Sequence, residues 1–209
     1  NELKNNLESG KIGNLKVIKA NRLNFGAVRK KESVLYDLAS HDISMVLSIS
    51  KTMPKNVEVN AIFSNSKKIA DYINVILYFE KDLLAIISSD WISPYKEHRF
   101  SVLGSKGSLV FDDTKDWQNK LIINPSYLNA EKKIIYNPDR AIPILNEEPL
   151  KKEVETFLKC VENSYKPITN IDEGINVQIV LDMIDKKLKE KYGHYGFYWP
   201  KKTTRINKK

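Results

Sequence analysis

The sequence predicts an α+β fold, built on a large, open, mainly antiparallel mixed β-sheet with helices on one face. Three observations predict it. Short β-rich runs crowd the stretch from Asn56 to Tyr136, and segments with helical periodicity lie before and after that stretch. The connections between runs are also too short for the crossovers that parallel pairing of successive strands needs, so sequence neighbours should pair antiparallel.

Taken in order, Asn1–Ser9 reads as a helix that Gly10 and Gly13 stop, and Leu15–Leu23 alternates as a half-buried strand. Val34–Ile49 is free of Gly and Pro and repeats Leu38, Met45, Val46 and Ile49 at helical spacing. Asp37 near its start suits the positive end of a helix dipole. The β-rich runs are Val57–Phe63, Tyr72–Phe79, Leu83–Trp91, Arg99–Leu103, Ser108–Phe111, Lys120–Ile123 and Lys132–Tyr136. Gly104-Ser105-Lys106-Gly107 is the turn of a hairpin. Leu150, Val154, Phe157, Leu158 and Val161 form one apolar stripe, and a last helix should start after Thr169, where Thr169 and Asp172 suggest a capping box. No internal repeat or linker divides the chain, so residues 1–209 are expected to form one domain. Strands such as Ile73–Phe79 are apolar at odd and even positions alike, so both sheet faces call for cover, the second from a partner domain or subunit.

Composition narrows the function classes. With 42% hydrophobic and 10% aromatic residues, disorder and fibrous repeats are excluded. The longest apolar run, Tyr72–Phe79, is interrupted by Asn74 and falls far short of the ~20 residues a membrane helix needs, so no membrane partner is expected. One cysteine, Cys160, gives neither an internal disulfide nor a metal cluster, which points to a reducing cytoplasm and to no bound metal. No secretory signal opens the chain, and a start at Asn1 rather than Met suggests that something upstream has been removed. The net charge of +8 invites a nucleic-acid reading, but all but five of the 34 basic residues are lysine, scattered among 26 acidic ones. Readers of base sequence favour clustered arginine, so no specific nucleic acid is expected. The basic tail Lys201–Lys209 reads as a frayed end.

One local constellation looks catalytic, Asp37-Leu38-Ala39-Ser40-His41-Asp42. Four residues apart on a helix, Asp37 and His41 share a face, where a carboxylate can orient an imidazole and stabilise its protonated form. A purely structural pair is the competing reading. Asp42 points elsewhere, as a surface or capping group. Upstream, Arg22, Asn24 and Arg29 flank a tight turn and suit either anion recognition or a solvated strand end. Trp91, Tyr95 and Lys96 place aromatic and cationic groups on a strand-to-loop exit, which suits stacking on a sugar or base, with Trp91 as a core plug the alternative. His98 reads as an ordinary strand residue, and His194 sits in an aromatic tail, Tyr192–Trp199, suited to packing on a partner surface. No Gly-x-Gly-x-x-Gly, Walker motif, nucleophile elbow or metal-spaced His/Cys set occurs.

Several segments in the same order resemble the C-terminal domain of Gfo/Idh/MocA-type oxidoreductases. They are Arg22–Arg29, Val34–Ser44, Ser89–Lys96 with Val102–Gly107 and Phe111–Asp113, and Glu148–Leu150 leading to Phe157–Cys160. The resemblance spans nearly the whole chain and looks closest to the branch associated with nucleotide-sugar and surface-polysaccharide biosynthesis. It implies a dihydrodipicolinate-reductase-like C-terminal domain that shapes a sugar site and packs its open sheet face against another copy. It also implies a Rossmann domain upstream that carries NAD or NADP, a cofactor this fragment alone is not expected to bind. In that light Asp37 and His41 match the family's Asp-x-x-x-His pair, with His41 as proton acceptor. Arg22, Asn24, Arg29, Trp91, Tyr95 and Lys96 would line the substrate pocket. Ser44 stands where many relatives carry a second Asp. The implied function is the substrate-binding half of an NAD(P)-dependent dehydrogenase that oxidises a hydroxyl of a nucleotide-linked sugar. A non-catalytic binding or assembly module with the same fold is the alternative.

Overall fold

Strand β1 (Leu15–Leu23) organises the sheet, because it pairs parallel with β4 (Leu84–Asp90) on one side and antiparallel with β5 (Glu97–Gly104) on the other. The computed structural model describes residues 2–66, 68–146, 148–167 and 169–193. His194 and most of the aromatic tail, Asn1 and the basic tail lie outside them. With β2 (Asn56–Ile62), β3 (Tyr72–Tyr78), β6 (Gly107–Asp112), β7 (Leu121–Asn124) and β10 (Arg140–Ala141), the sheet has eight strands in the order β10-β7-β6-β5-β1-β4-β3-β2. All its pairings are antiparallel except β1 with β4.

β2, β3 and β4 pair as successive hairpins, as do β5, β6 and β7. β4 and β5 are consecutive in the chain, yet β1 is inserted between them. The segment Trp91–Lys96 therefore spans the width of an intervening strand, about 10 Å at the usual strand spacing, and passes over the end of β1. The run at Lys132–Tyr136 also departs from expectation. Its β9 (Ile134–Ile135) joins β8 (Tyr127–Leu128) in a separate two-stranded ribbon.

Helix α1 (Glu2–Glu8) ends before Gly10 and Gly13, whose φ values of 71° and 70° favour glycine. The segment predicted as one helix over 34–49 is a π turn (Leu35–Ala39) running into α2 (Ser40–Ser50), with the Ser40 N–H donating to the Leu35 carbonyl. Its buried line is Leu35, Ala39, Ile43 and Val46: of the predicted Leu38, Met45, Val46 and Ile49, Val46 is buried, Leu38 and Ile49 are half-buried, and Met45 is exposed. Asp42 also faces inward, where it meets a charge on the sheet.

Helix α4 (Ile171–Lys191) is capped by Asn170, whose Oδ1 accepts from the N–H groups of Asp172 (2.9 Å) and Glu173 (3.3 Å). The cap is thus one residue beyond the predicted Thr169. Helix α3 (Pro149–Asn163) carries the predicted apolar stripe, but Leu150, Val154, Phe157, Leu158 and Val161 are all exposed, as are Ile171, Ile175 and Ile179 of α4.

The core lies between α2, α4 and one face of the sheet. Ile18, Ala20, Val57, Ile73, Val75, Leu77, Ala85, Ile87, Val102 and Leu109 are buried beneath Ile43, Val46, Val180, Ile184 and Leu188. Strands β3 and β4 show why apolar residues stand at odd and even positions alike: odd positions 73 to 77 and 85 to 89 are buried, and the even ones between them half-buried on the opposite face. That opposite face carries a polar row in register, Asn60–Asn74–Ser88–Asn21–Arg99–Asp112. Among the described residues no helix is long and apolar enough to cross a membrane, and no group of three or more His, Cys, Asp or Glu is placed to hold a metal ion.

Candidate functional site at the end of β1

The helix-facing side of the sheet turns polar in its last row. Across the middle, Val75, Ile87, Ala20 and Phe100 lie in register. Two residues further along, Ile73, Ser89, Arg22 and His98 lie in register, followed by Asp113 just past β6. An arginine there lies at the margin of the core and needs a partner. Asp42, on the first turn of α2, supplies it: Arg22 Nε and Nη2 donate to Asp42 Oδ2 and Oδ1, each at 2.9 Å. The Asp42 side chain is 3% exposed and that of Arg22 21%. This corrects the expectation of a surface or capping role for Asp42. A bidentate pair so placed fixes where α2 begins, and with it His41.

Among the described residues the catalytic pair predicted from spacing is not joined by a hydrogen bond or ion pair. The Asp37 carboxylate accepts from Arg29 Nε at 3.3 Å, and among the described residues no hydrogen bond links it to His41. The π turn carries Asp37 and α2 carries His41, which is exposed. Arg29 and Asp37 are therefore brought together, with Arg29 half exposed. Asn24 is exposed on the segment leaving β1, and the N–H of Gly26 donates to the Trp91 carbonyl at 3.2 Å, tying that segment to the loop after β4.

In that loop, Asp90 is buried and accepts from the N–H groups of Ile92 (3.1 Å) and Ser93 (2.9 Å) and the Ser93 hydroxyl (2.7 Å), fixing the turn. Trp91 is 2% exposed, and its indole N–H donates to Asp71 Oδ1 at 2.7 Å. The core-plug reading of Trp91 therefore holds, and its assignment to substrate stacking is corrected: a ring sealed in the core offers no face to a sugar. Asp71, itself buried, also accepts from Ser64 N and Asn65 N. Burial alone would raise its pKa, but these donors, Asn65 foremost, hold it below the usual 3.8. Tyr95 and Lys96 are exposed on the rest of the loop.

The row contains a carboxylate–imidazole pair that the residue-type patterns passed over. His98 Nδ1 lies 3.2 Å from Asp113 Oδ2, and Lys120 Nζ donates to Asp113 Oδ1 at 2.6 Å. Burial, and then the Arg22 guanidinium, push the His98 imidazole below its ordinary 6.5, against the opposing pull of Asp113 and Asp42. At Asp113 the desolvation that would raise the carboxyl is outweighed by Lys120 and His98, which bring it below 3.8. A signal for this pair was present in the sequence. In a hairpin whose ends are Gly104 and Gly107, counting equally outward places Arg99 opposite Asp112 and then His98 opposite Asp113.

A concavity of about 290 Å³ lies elsewhere, between α1, α2 and α4, where Lys4, Ser44, Ser48, Lys51, Glu173 and Asn176 line it. It includes none of the predicted site residues.

The chain belongs to the GFO/IDH/MocA C-terminal domain family, whose model matches residues 1–110. No curated protein matches the sequence. Among solved structures, UDP-N-acetylglucosamine 3-dehydrogenase from Acidithiobacillus ferrooxidans superposes with a TM-score of 0.71 at 16% identity, over 88% of this chain and 56% of that one. Aldose-aldose oxidoreductase from Caulobacter crescentus, complexed with glycerol, superposes with a TM-score of 0.74 at 15% identity, over 91% and 58%. These likenesses show the fold: the large mixed, mostly antiparallel sheet with its few helices is theirs as well. The chain spans little more than half the length of the proteins it matches.

Proposed function

We propose that this chain is the substrate-binding and oligomerisation domain of an NAD(P)-dependent oxidoreductase that oxidises a hydroxyl of a nucleotide-linked sugar. The observation that carries the reading is the family match over residues 1–110, which contains both the Arg22–Asp42 pair and the exposed His41 beside it. His41 is the proton acceptor for the substrate hydroxyl, a role worth typically about 10²–10⁴-fold in rate. Asn24, Arg29, Tyr95 and Lys96 stand exposed at the same edge and supply polar contacts to the sugar. Arg22, already bonded to Asp42, places the helix that bears His41.

The residues present do not fit a dinucleotide. Among the described residues no glycine-rich turn follows a strand and opens a helix, the arrangement that cradles a pyrophosphate. NAD or NADP is proposed to bind a Rossmann domain that corresponds to the part of the solved relatives beyond the length this chain covers. The exposed apolar residues of α3 and α4 support a further covering surface, and the half-buried second face of the sheet supports a homo-oligomer.

One observation favours the non-catalytic alternative, namely that Asp37 is bonded to Arg29 and leaves His41 without its expected carboxylate. The deciding assay is sugar-dependent reduction of NAD⁺ or NADP⁺ by the chain produced together with its nucleotide-binding domain, using UDP-N-acetylglucosamine as the trial substrate. Turnover that falls about 10²–10⁴-fold in His41→Ala is expected. Undiminished turnover in that variant overturns the role of His41, and no turnover of any nucleotide sugar leaves the module.

A further inference from the structure

His98 has what the spacing of Asp37 and His41 only promised. Its imidazole is half-buried, with the side chain 26% exposed, and its Nδ1 lies against Asp113, which Lys120 holds in place. The backbone locks the two together as well, since the Asp113 N–H donates to the His98 carbonyl at 2.9 Å. On the neighbouring strand Arg22 stands directly opposite, its guanidinium turned to Asp42. Among the described residues Nε2 of His98 has no hydrogen-bond partner. A ring whose Nδ1 side is engaged by a carboxylate keeps its Nε2 lone pair as an acceptor while it stays neutral.

The charges that act on this ring are Arg22 on β1, Asp42 on α2, Lys96 on the loop before β5 and Asp113 after β6, and Lys120 before β7 acts on Asp113. The two carboxylates are each answered by a cation, Asp42 by Arg22 and Asp113 by Lys120. Nε2, the acceptor left over beside these balanced charges, therefore suits a neutral donor better than an ion. A sugar hydroxyl is such a donor.

We infer that His98 is a ligand-binding residue whose Nε2 accepts a hydrogen bond from a hydroxyl of the sugar, at a different position on the ligand from the hydroxyl that His41 serves. Asp113 is its positioning residue. The inference rests on the sugar-binding reading above and adds a contact that neither the spacing of motifs nor the family resemblance assigns.

The test is an imidazole NMR titration of the 209-residue chain with UDP-N-acetylglucosamine as the probe, paired with the variants His98→Gln and His98→Leu. A bound hydroxyl stabilises the neutral ring, so the His98 titration midpoint should move to lower pH when the probe is added. His98→Gln keeps an acceptor near the Nε2 position and should bind within about threefold of the original, while His98→Leu should weaken binding about five- to tenfold, the worth of one hydrogen bond. Far-UV circular dichroism checks that both variants keep the fold. The inference is overturned if the His41 resonances respond to the probe and those of His98 do not, or if Gln and Leu weaken binding equally. If neither imidazole responds, the sugar-binding reading falls and this contact with it.

Discussion

His41 and His98 belong to the same end of the sheet but are supported in opposite ways. His41 follows a π turn and precedes Asp42 on α2, so its backbone is fixed by the Arg22–Asp42 pair while its ring stands exposed. His98 sits on β5 inside a ladder, with a carboxylate at 3.2 Å and an arginine across the strand. The helix turn thus presents a group whose surroundings are left to be completed. The strand presents one whose surroundings are already built. A proton acceptor that must meet a reacting hydroxyl and a closing domain suits the first arrangement, and a fixed contact that sets ligand orientation suits the second.

The contrast can be broken or sharpened by substitution. The largest effect is expected at Asp42. Removing its carboxylate in Asp42→Ala strands the Arg22 guanidinium at the core margin, and urea unfolding should show a loss of about 3–5 kcal/mol. A loss under about 1 kcal/mol would mean that Arg22 is free to serve the ligand instead. Arg29–Asp37 is the opposite case. With the arginine side chain 51% exposed, Asp37→Ala should cost no more than about 1 kcal/mol.

Between these lies the pH dependence. Asp71, Asp112 and Asp113 all have native pKa values below 3.8, so each contributes stability that is complete above that value and is lost as pH falls through the lower native one. His98 works in the same direction at higher pH. Its native pKa lies below the unfolded 6.5, so the native state binds the proton less readily and stability declines as pH falls from 6.5 toward the native value. Unfolding followed from pH 8 to 3 should therefore show two separate declines, and His98→Gln should abolish the upper one alone.

How much of this was legible in the sequence differs by scale. Strand β1 was readable residue for residue, and β2, β3 and β4 to within one residue at either end, because alternation and turn residues agree there. What alternation could not reveal was β1 inserted between β4 and β5, since a long-range strand exchange leaves no local mark. The π turn was hidden for a similar reason: one extra residue in a turn does not disturb helical periodicity enough to be read. At the site, residue types alone drew attention to Asp37 and away from Asp42, although Asp42 is the one that turns to the sheet and pairs with Arg22, while Asp37 on the π turn pairs with Arg29. Trp91 was undecidable from its sequence neighbours because its partner, Asp71, is 20 residues away.

The most direct test of a ligand site at the end of β1 is amide chemical-shift mapping of the 209-residue chain with UDP-N-acetylglucosamine. Shifts gathered at Asn24, Arg29, His41, Tyr95, Lys96 and His98 are the predicted result. Shifts confined to Lys4, Ser44, Ser48 and Glu173 in the groove between α1, α2 and α4, or no shifts at all, would contradict it.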